Sequence, residues 1–188
     1  MAYFPFYIEL SKKKGLVVGA GKVALEKIEK LLEFDADLCV VAPKFLPEIR
    51  EEKRIQIREK KFDPKDLDGF DYVIAATNQD ALNERIYELC QEKKIYVNVV
   101  DNAKLCDFIF ASVIKRGKLC IGISTSGASP KAGIMLKNKI NSQLPDDIEE
   151  RLDALYEIRK YAKENIKDTK ERRAYLEEMT VKYLSNWG

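Results

Sequence analysis

Gly19, Gly21 and Ala24 follow the apolar run "GLVV" in the pattern glycine, one residue, glycine, two residues, small residue. Ala24, Ile28, Leu31 and Leu32 then recur at helical spacing, so the segment predicts a strand, a tight loop and a helix. A dinucleotide diphosphate needs that order. Gly19 allows the turn, Gly21 lets a diphosphate approach the backbone, and Ala24 lets helix and strand pack closely. Free amides at the helix start face the phosphates, aided by the positive end of the helix dipole. The same turn also occurs in α/β proteins as a packing device without a nucleotide. A ribose-binding acid, expected about 20 residues further on, is missing: the second strand, "DLCVVAPKF", ends in Ala42, Pro43 and Lys44. Backbone or another side chain must then hold the ribose, and Lys44 leaves a phosphorylated ribose open.

Acid–base chemistry has few candidates. Histidine is absent from all 188 residues, which excludes serine–histidine and cysteine–histidine pairs and histidine-ligated zinc. Proton transfer near neutral pH falls to a carboxylate, lysine, tyrosine, cysteine or the substrate itself. Cys39, Cys90, Cys106 and Cys120 are widely separated and form no zinc-type pair. Three of them sit on apolar strand or helix faces and act as small hydrophobes; Cys106 falls in a loop, with no base beside it in sequence.

These residues need a scaffold, and the chain spells one out. "DLCVV", "DYVIAATN" and "IYVNVVD" read as buried strands and "RIQIREKKF" as an alternating one, with helices over "KFLPEIREEK" and the stripe Leu82, Ile86, Leu89, Cys90 between them. Thr77 and Asp80 form a capping pattern before that last helix. Strands alternating with helices predict an α/β, Rossmann-like, doubly wound parallel sheet over roughly residues 1–112. Ligands bind such sheets at the carboxyl ends of the strands. Those ends carry Gly19 to Gly21, Ala42 to Lys44, Thr77 and Asn78, and Asn98 to Asp101. Asp101 is the one acid among them. It reads either as a turn residue ending a strand or as a carboxylate beside the cofactor's reactive ring.

From residue 108 the character changes. "FIFASVIKRGKLCIGIST" predicts a hairpin turning at Arg116 and Gly117. Ser129 and Pro130 then start a helix with Ala132, Leu136 and Ile140 every four residues. A second helix carries Ile148, Leu152, Leu155, Ala162 and Ile166, and a third covers the tail. The expectation is a dimerisation α+β element over 113–144, too thin to bury itself, and a C-terminal helical domain over 145–188. The 33 basic and 31 acidic residues nearly cancel, so no global field points to nucleic acid or an acidic membrane. The start has apolar residues before its lysines, the reverse of a secretory signal, and nothing approaches a membrane span. A cytoplasmic protein is expected.

The strings "FPFYIEL" at 4–10, "VVGAGKVALEKIEKLL" at 17–32, "VVAP" at 40–43, "VIAATN" at 73–78, "NVVD" at 98–101, "FIFAS" at 108–112 and "ISTSGASPKAG" at 123–133 occur together in one family. The sequence resembles the precorrin-2 dehydrogenases of siroheme biosynthesis, stand-alone or as the amino-terminal module of siroheme synthases, in order and over essentially the whole chain. The resemblance implies oxidation of precorrin-2, a tetrapyrrole rich in carboxylate arms, to sirohydrochlorin with a hydride passed to NAD. Some members also insert ferrous iron to give siroheme. It implies a homodimer and a tetrapyrrole cleft between domains. Carried over, the cofactor contacts fall on Gly19, Gly21, Lys22, Val23, Pro43, Lys44, Thr77 and Val99, and the essential carboxylate on Asp101. The family shares the missing ribose acid. Ser124, Thr125 and Ser126 ahead of the helix would make an anion site for substrate carboxylates, with Thr125 and Ser126 the candidates; Ser129 is explained as a cap.

Two departures stand out. Ala111 replaces a proline that relatives often carry, and Asp107 adds a second acid after Asp101. Asp107 reads either as a metal ligand with Asp101 or as a solvent-facing side chain, and solvent is the preferred reading. Carboxylates alone are weakly selective ligands, so no protein metal site is expected. The alternative function is an NAD-binding regulatory or sensing module without catalysis. It explains the fold but does not predict an acid at Asp101, and an Asp101 exposed far from the glycine loop would exclude the dehydrogenase. An ordinary NAD-dependent reductase is disfavoured, since no tyrosine–lysine pairing is visible at a strand end.

Overall fold

In a computed structural model describing residues 3–185, the apolar runs become strands β1 (Lys14–Val18), β2 (Asp37–Ala42), β3 (Ile55–Glu59), β4 (Tyr72–Ala75) and β5 (Tyr96–Val99). They form one parallel sheet in the order β3-β2-β1-β4-β5. The order reverses at β1, which pairs with β2 on one side and β4 on the other. This is a doubly wound sheet, and the switch point is where such folds bind ligands.

Pleating sends alternate side chains to opposite faces, and both are covered. One face joins Leu16, Val18, Cys39, Val41, Val73, Ala75, Val97 and Val99 to Leu67 and to Ile86, Leu89 and Cys90 of α3 (Asp80–Lys93). On the other, Val17, Val40 and Ile74 are fully buried, and α1 (Lys22–Leu32) buries the expected stripe Ala24, Ile28, Leu31 and Leu32. A short α2 (Pro47–Glu51), opened by its proline, crosses from β2 to β3. At the β3 edge, buried Asp66 pairs with Lys60 at 2.7 Å and Arg58 at 3.4 Å and accepts the Asp63 amide at 2.9 Å. Burial pushes its carboxyl up, but these cations and the amide together hold it below its ordinary value.

The contacts divide the chain into two compact units, and all of this lies in the one spanning Phe6–Ile109. In the other, β6 (Ser112–Arg116) and β7 (Leu119–Ile123) pair antiparallel. Their turn falls on Gly117 and Lys118, one residue later than expected, because Gly117 takes the left-handed position at φ +54°. Helices α4 (Pro130–Asn141), α5 (Ile148–Asn165) and α6 (Thr169–Leu184) follow. Their stripes are only partly buried. Ile114, Leu144, Ile148 and Ala162 are covered, whereas Ile134, Met135 and Leu136 are exposed at 53, 63 and 47%. Among the described residues no helix is long and apolar enough to cross a membrane.

Candidate functional site

The first wall of the site is backbone. β1 ends at Val18, and Gly19 turns at φ +110°, its amide donating to the Val41 carbonyl at 2.9 Å. A side chain at Gly19 would run into the Ala76 carbonyl, its Cβ lying 2.7 Å from that carbon. Only glycine fits where the ends of β1 and β4 come so close. Gly21 is the N-cap of α1 with extended backbone, and no side chain caps the helix. Nothing lies within 4 Å of where a Gly21 Cβ would stand. Uncapped amides beneath open space at the start of an eleven-residue helix suit a diphosphate. Lys22 and Val23, on the first turn, are exposed.

The second wall is the end of β2, where Pro43 and Lys44 are both exposed. The Leu46 amide donates to the Ala20 carbonyl at 3.1 Å, tying this segment to the glycine loop. The third wall is the end of β4, where the structure departs from the sequence reading. Thr77 does not cap α3; Gln79 does, without a side-chain bond. The Thr77 hydroxyl instead donates to Asn83 Oδ1 at 2.7 Å, and the Asn83 Nδ2 donates back to the Thr77 carbonyl at 3.1 Å. Asn83 is 5% exposed, one of three buried polar residues among those described. It locks the Thr77 loop against Gly19. Sequence reasoning missed it because its position on α3 looks like any polar helix residue; its one signal is an amide next to the stripe position Leu82.

The fourth wall is the end of β5. Val99 is buried in the core, and its amide and carbonyl engage Cys106 at 3.3 and 3.2 Å. It backs the site without opening onto it. Asp101 follows, exposed, at φ +60°, a left-handed conformation that aspartate tolerates better than most residues. It lies two strands from β1, about 10 Å at the usual strand spacing, and on the same carboxyl edge as the glycine loop. Lys27 of α1 is half-buried; burial and the Lys30 charge push its ammonium down, while Glu26, Asp101 and Cys106 push the other way.

Asp107 is exposed, as expected, but its carboxylate is also tied to the backbone. Its carboxylate accepts the Val97 amide at 2.9 Å and Gln91 Nε2 at 3.1 Å, closing the exposed edge of β5. Among the described residues no group of His, Cys, Asp or Glu is placed to hold a metal ion.

Thr125 and Ser126 lie in the other unit. The Thr125 hydroxyl donates to the Ser129 carbonyl at 3.1 Å and accepts the Ser129 amide at 3.2 Å. Ser126 is exposed at φ +51° and its amide donates to Ser124 Oγ at 3.1 Å. Ser129 Oγ caps α4 by accepting the Ala132 amide at 3.2 Å, so that amide is not free for an anion. The loop therefore offers Ser126 rather than the helix end.

Residues 6–112 match a family described as "Putative NAD(P)-binding". The siroheme synthase of Zymomonas mobilis is 34% identical over 180 residues, and that of Thioalkalivibrio sulfidiphilus 39% identical over 183. These alignments take in 94 and 95% of this chain but 38 and 37% of theirs, so the chain spans less than two fifths of these curated relatives. The structure of SirC, a precorrin-2 dehydrogenase, superposes with a TM-score of 0.77 at 26% identity, covering 94% of this chain and 89% of that one. With its glycine loop and uncapped α1 in place, the chain belongs to this NAD(P)-binding family and is a homologue of the siroheme synthases over nearly its whole length.

Proposed function

We propose that the chain is an NAD-dependent precorrin-2 dehydrogenase serving siroheme biosynthesis. The observation that carries the reading is Asp101, the one acid at the ends of β1, β2, β4 and β5, held in a left-handed turn on the edge that carries the glycine loop. Likeness to SirC and to the siroheme synthases supports the substrate.

Oxidation of precorrin-2 to sirohydrochlorin removes two hydrogens. NAD, when bound, takes one as hydride. The other leaves as a proton, and Asp101 is the group placed to accept it and to stabilise the cation left on the macrocycle. The α1 amides hold the diphosphate, Gly19 and Gly21 let it approach, and the Asn83-locked Thr77 loop forms the wall beside it. Lys22, Val23, Pro43 and Lys44 are exposed after β1 and β2 on the same carboxyl edge, and Lys44 is assigned to the ribose. Ser126 is assigned to the substrate's carboxylate arms, and Thr125, whose hydroxyl proton goes to the Ser129 carbonyl, holds the loop that presents it.

The same reading makes the protein a homodimer joined through its second unit, whose exposed Ile134, Met135 and Leu136 need a cover. It also places it in the cytoplasm, in keeping with four cysteines that form no disulfide among the described residues.

Anaerobic mixing with precorrin-2 and NAD, followed by absorbance for NADH and the oxidised macrocycle, tests the proposal. Turnover by the wild type and its loss in Asp101→Ala are expected. Tight nucleotide binding with no turnover on NAD or NADP would identify a sensing module instead. Ferrous iron added to the product, as substrate, tests for siroheme formation in the same cuvette.

A further inference from the structure

We infer that Cys106 is a positioning residue whose thiol staples both ends of the turn carrying Asp101 and so aims its carboxylate. This rests on the assignment of Asp101 above. The turn runs Val99–Val100–Asp101–Asn102 and is closed by the Asn102 amide on the Val99 carbonyl at 3.3 Å. Asp101 holds its third position at positive φ, where glycine or asparagine is the relaxed choice. An aspartate held there is less relaxed than glycine or asparagine would be, so the turn gains from support outside itself.

Cys106 supplies it. After Asp101 the chain returns antiparallel beside β5, with Cys106 bridged to Asn98. The thiol sits inside the loop so formed. Its sulfur accepts the Val99 amide at 3.3 Å and Asn98 Nδ2 at 3.4 Å. Its one proton faces the Val99 and Asn102 carbonyls, each at 3.2 Å, the two ends of the turn. The remaining bonds pin the returning strand. Asn98 Nδ2 donates to the Phe108 carbonyl at 2.8 Å, and the Asp107 amide to the Val97 carbonyl at 2.8 Å. Burial, with the nearby Asp107 charge, pushes the thiol up against the opposing pull of the Val99 amide and Lys27, so it keeps the proton it donates. Serine can make the same bonds from a slightly shorter arm; alanine can make none.

The test compares the full chain with Cys106→Ala and Cys106→Ser for anaerobic precorrin-2 oxidation, NAD affinity and amide exchange. In Cys106→Ala, kcat is expected to fall about tenfold to a hundredfold, the penalty for a slightly misplaced reacting group. NAD affinity should stay within about twofold, because the glycine loop is untouched. The Val99 and Asn102 amides should exchange faster while those of β1 do not change. Cys106→Ser should restore most of kcat and the protection. An unchanged kcat with unchanged Val99 and Asn102 protection in the alanine variant would overturn the inference. So would parallel loss of kcat, NAD affinity and melting temperature in both variants, which marks a general packing role. No turnover by the wild type would instead sink the dehydrogenase reading, and amide exchange alone would then decide whether Cys106 holds the turn.

Discussion

The two halves of the strand-end row are held by opposite means. At β1 and β4 the site is built of backbone, with a glycine that admits no side chain and bare helix amides, and one buried amide, Asn83, locks it. At β5 it is built of side chains: Asp101 presented on a strained turn, Cys106 inside the loop, Asp107 closing the edge. The difference matches the two tasks. A diphosphate carries charge that any donor can bind, so main-chain amides suffice. Proton transfer needs one acid at one place, and a side chain must be aimed.

Three substitutions separate the halves, and a fourth acts outside them. Asp101→Ala should lower kcat about 100-fold to 10,000-fold, the range for loss of a general acid or base, with NAD affinity unchanged by fluorescence titration. Equal loss of NAD affinity would mean the halves are not independent. Gly19→Val should do the reverse. It forces a side chain into the Ala76 carbonyl at a φ that valine resists, costing about 3 kcal/mol of stability by denaturant titration and abolishing NAD binding. Asn83→Leu keeps the bulk but leaves the Thr77 amide, hydroxyl and carbonyl without their partner. A loss of about 1 to 3 kcal/mol and weaker NAD binding are expected, whereas kcat at saturating NAD should hold. The smallest effect lies outside the row. Asp66 is held below its ordinary value, so its contribution is complete above the unfolded carboxylate pKa and fades as pH falls through the lower folded value. Asp66→Asn should therefore lower the melting temperature at pH 6, and the gap to wild type should close in strong acid, with NAD affinity unaffected at neutral pH.

The two units differ as sharply. All but four of the buried apolar residues among those described belong to the unit Phe6–Ile109. The strands there are continuous apolar runs and the helices have clear stripes, so their positions could be read from periodicity. In the second unit α4 buries only Gly133, and α6 buries nothing among the described residues. Periodicity still located its helices, because capping and propensity are local, as Ser129 and Pro130 show. It could not show which stripes are covered.

Within the site, the line between legible and hidden follows the reach of the interactions. The amino-acid sequence by itself determined the parallel sheet, the glycine loop before α1, the absence of a ribose acid after β2, and Asp101 as the carboxylate that follows β5. Each follows from residue type and spacing within one strand–loop–helix unit. Only the tertiary structure decided that Thr77 is locked by Asn83 instead of capping α3, that Val99 lies behind the site, that Asp107 closes a strand edge, and that Cys106 grips the Asp101 turn. Each of those polar residues had several local partners to choose from. Folding selected the one that satisfies a buried donor or acceptor across the loop, because an unpaired polar group in that interior would cost more than any local preference could return.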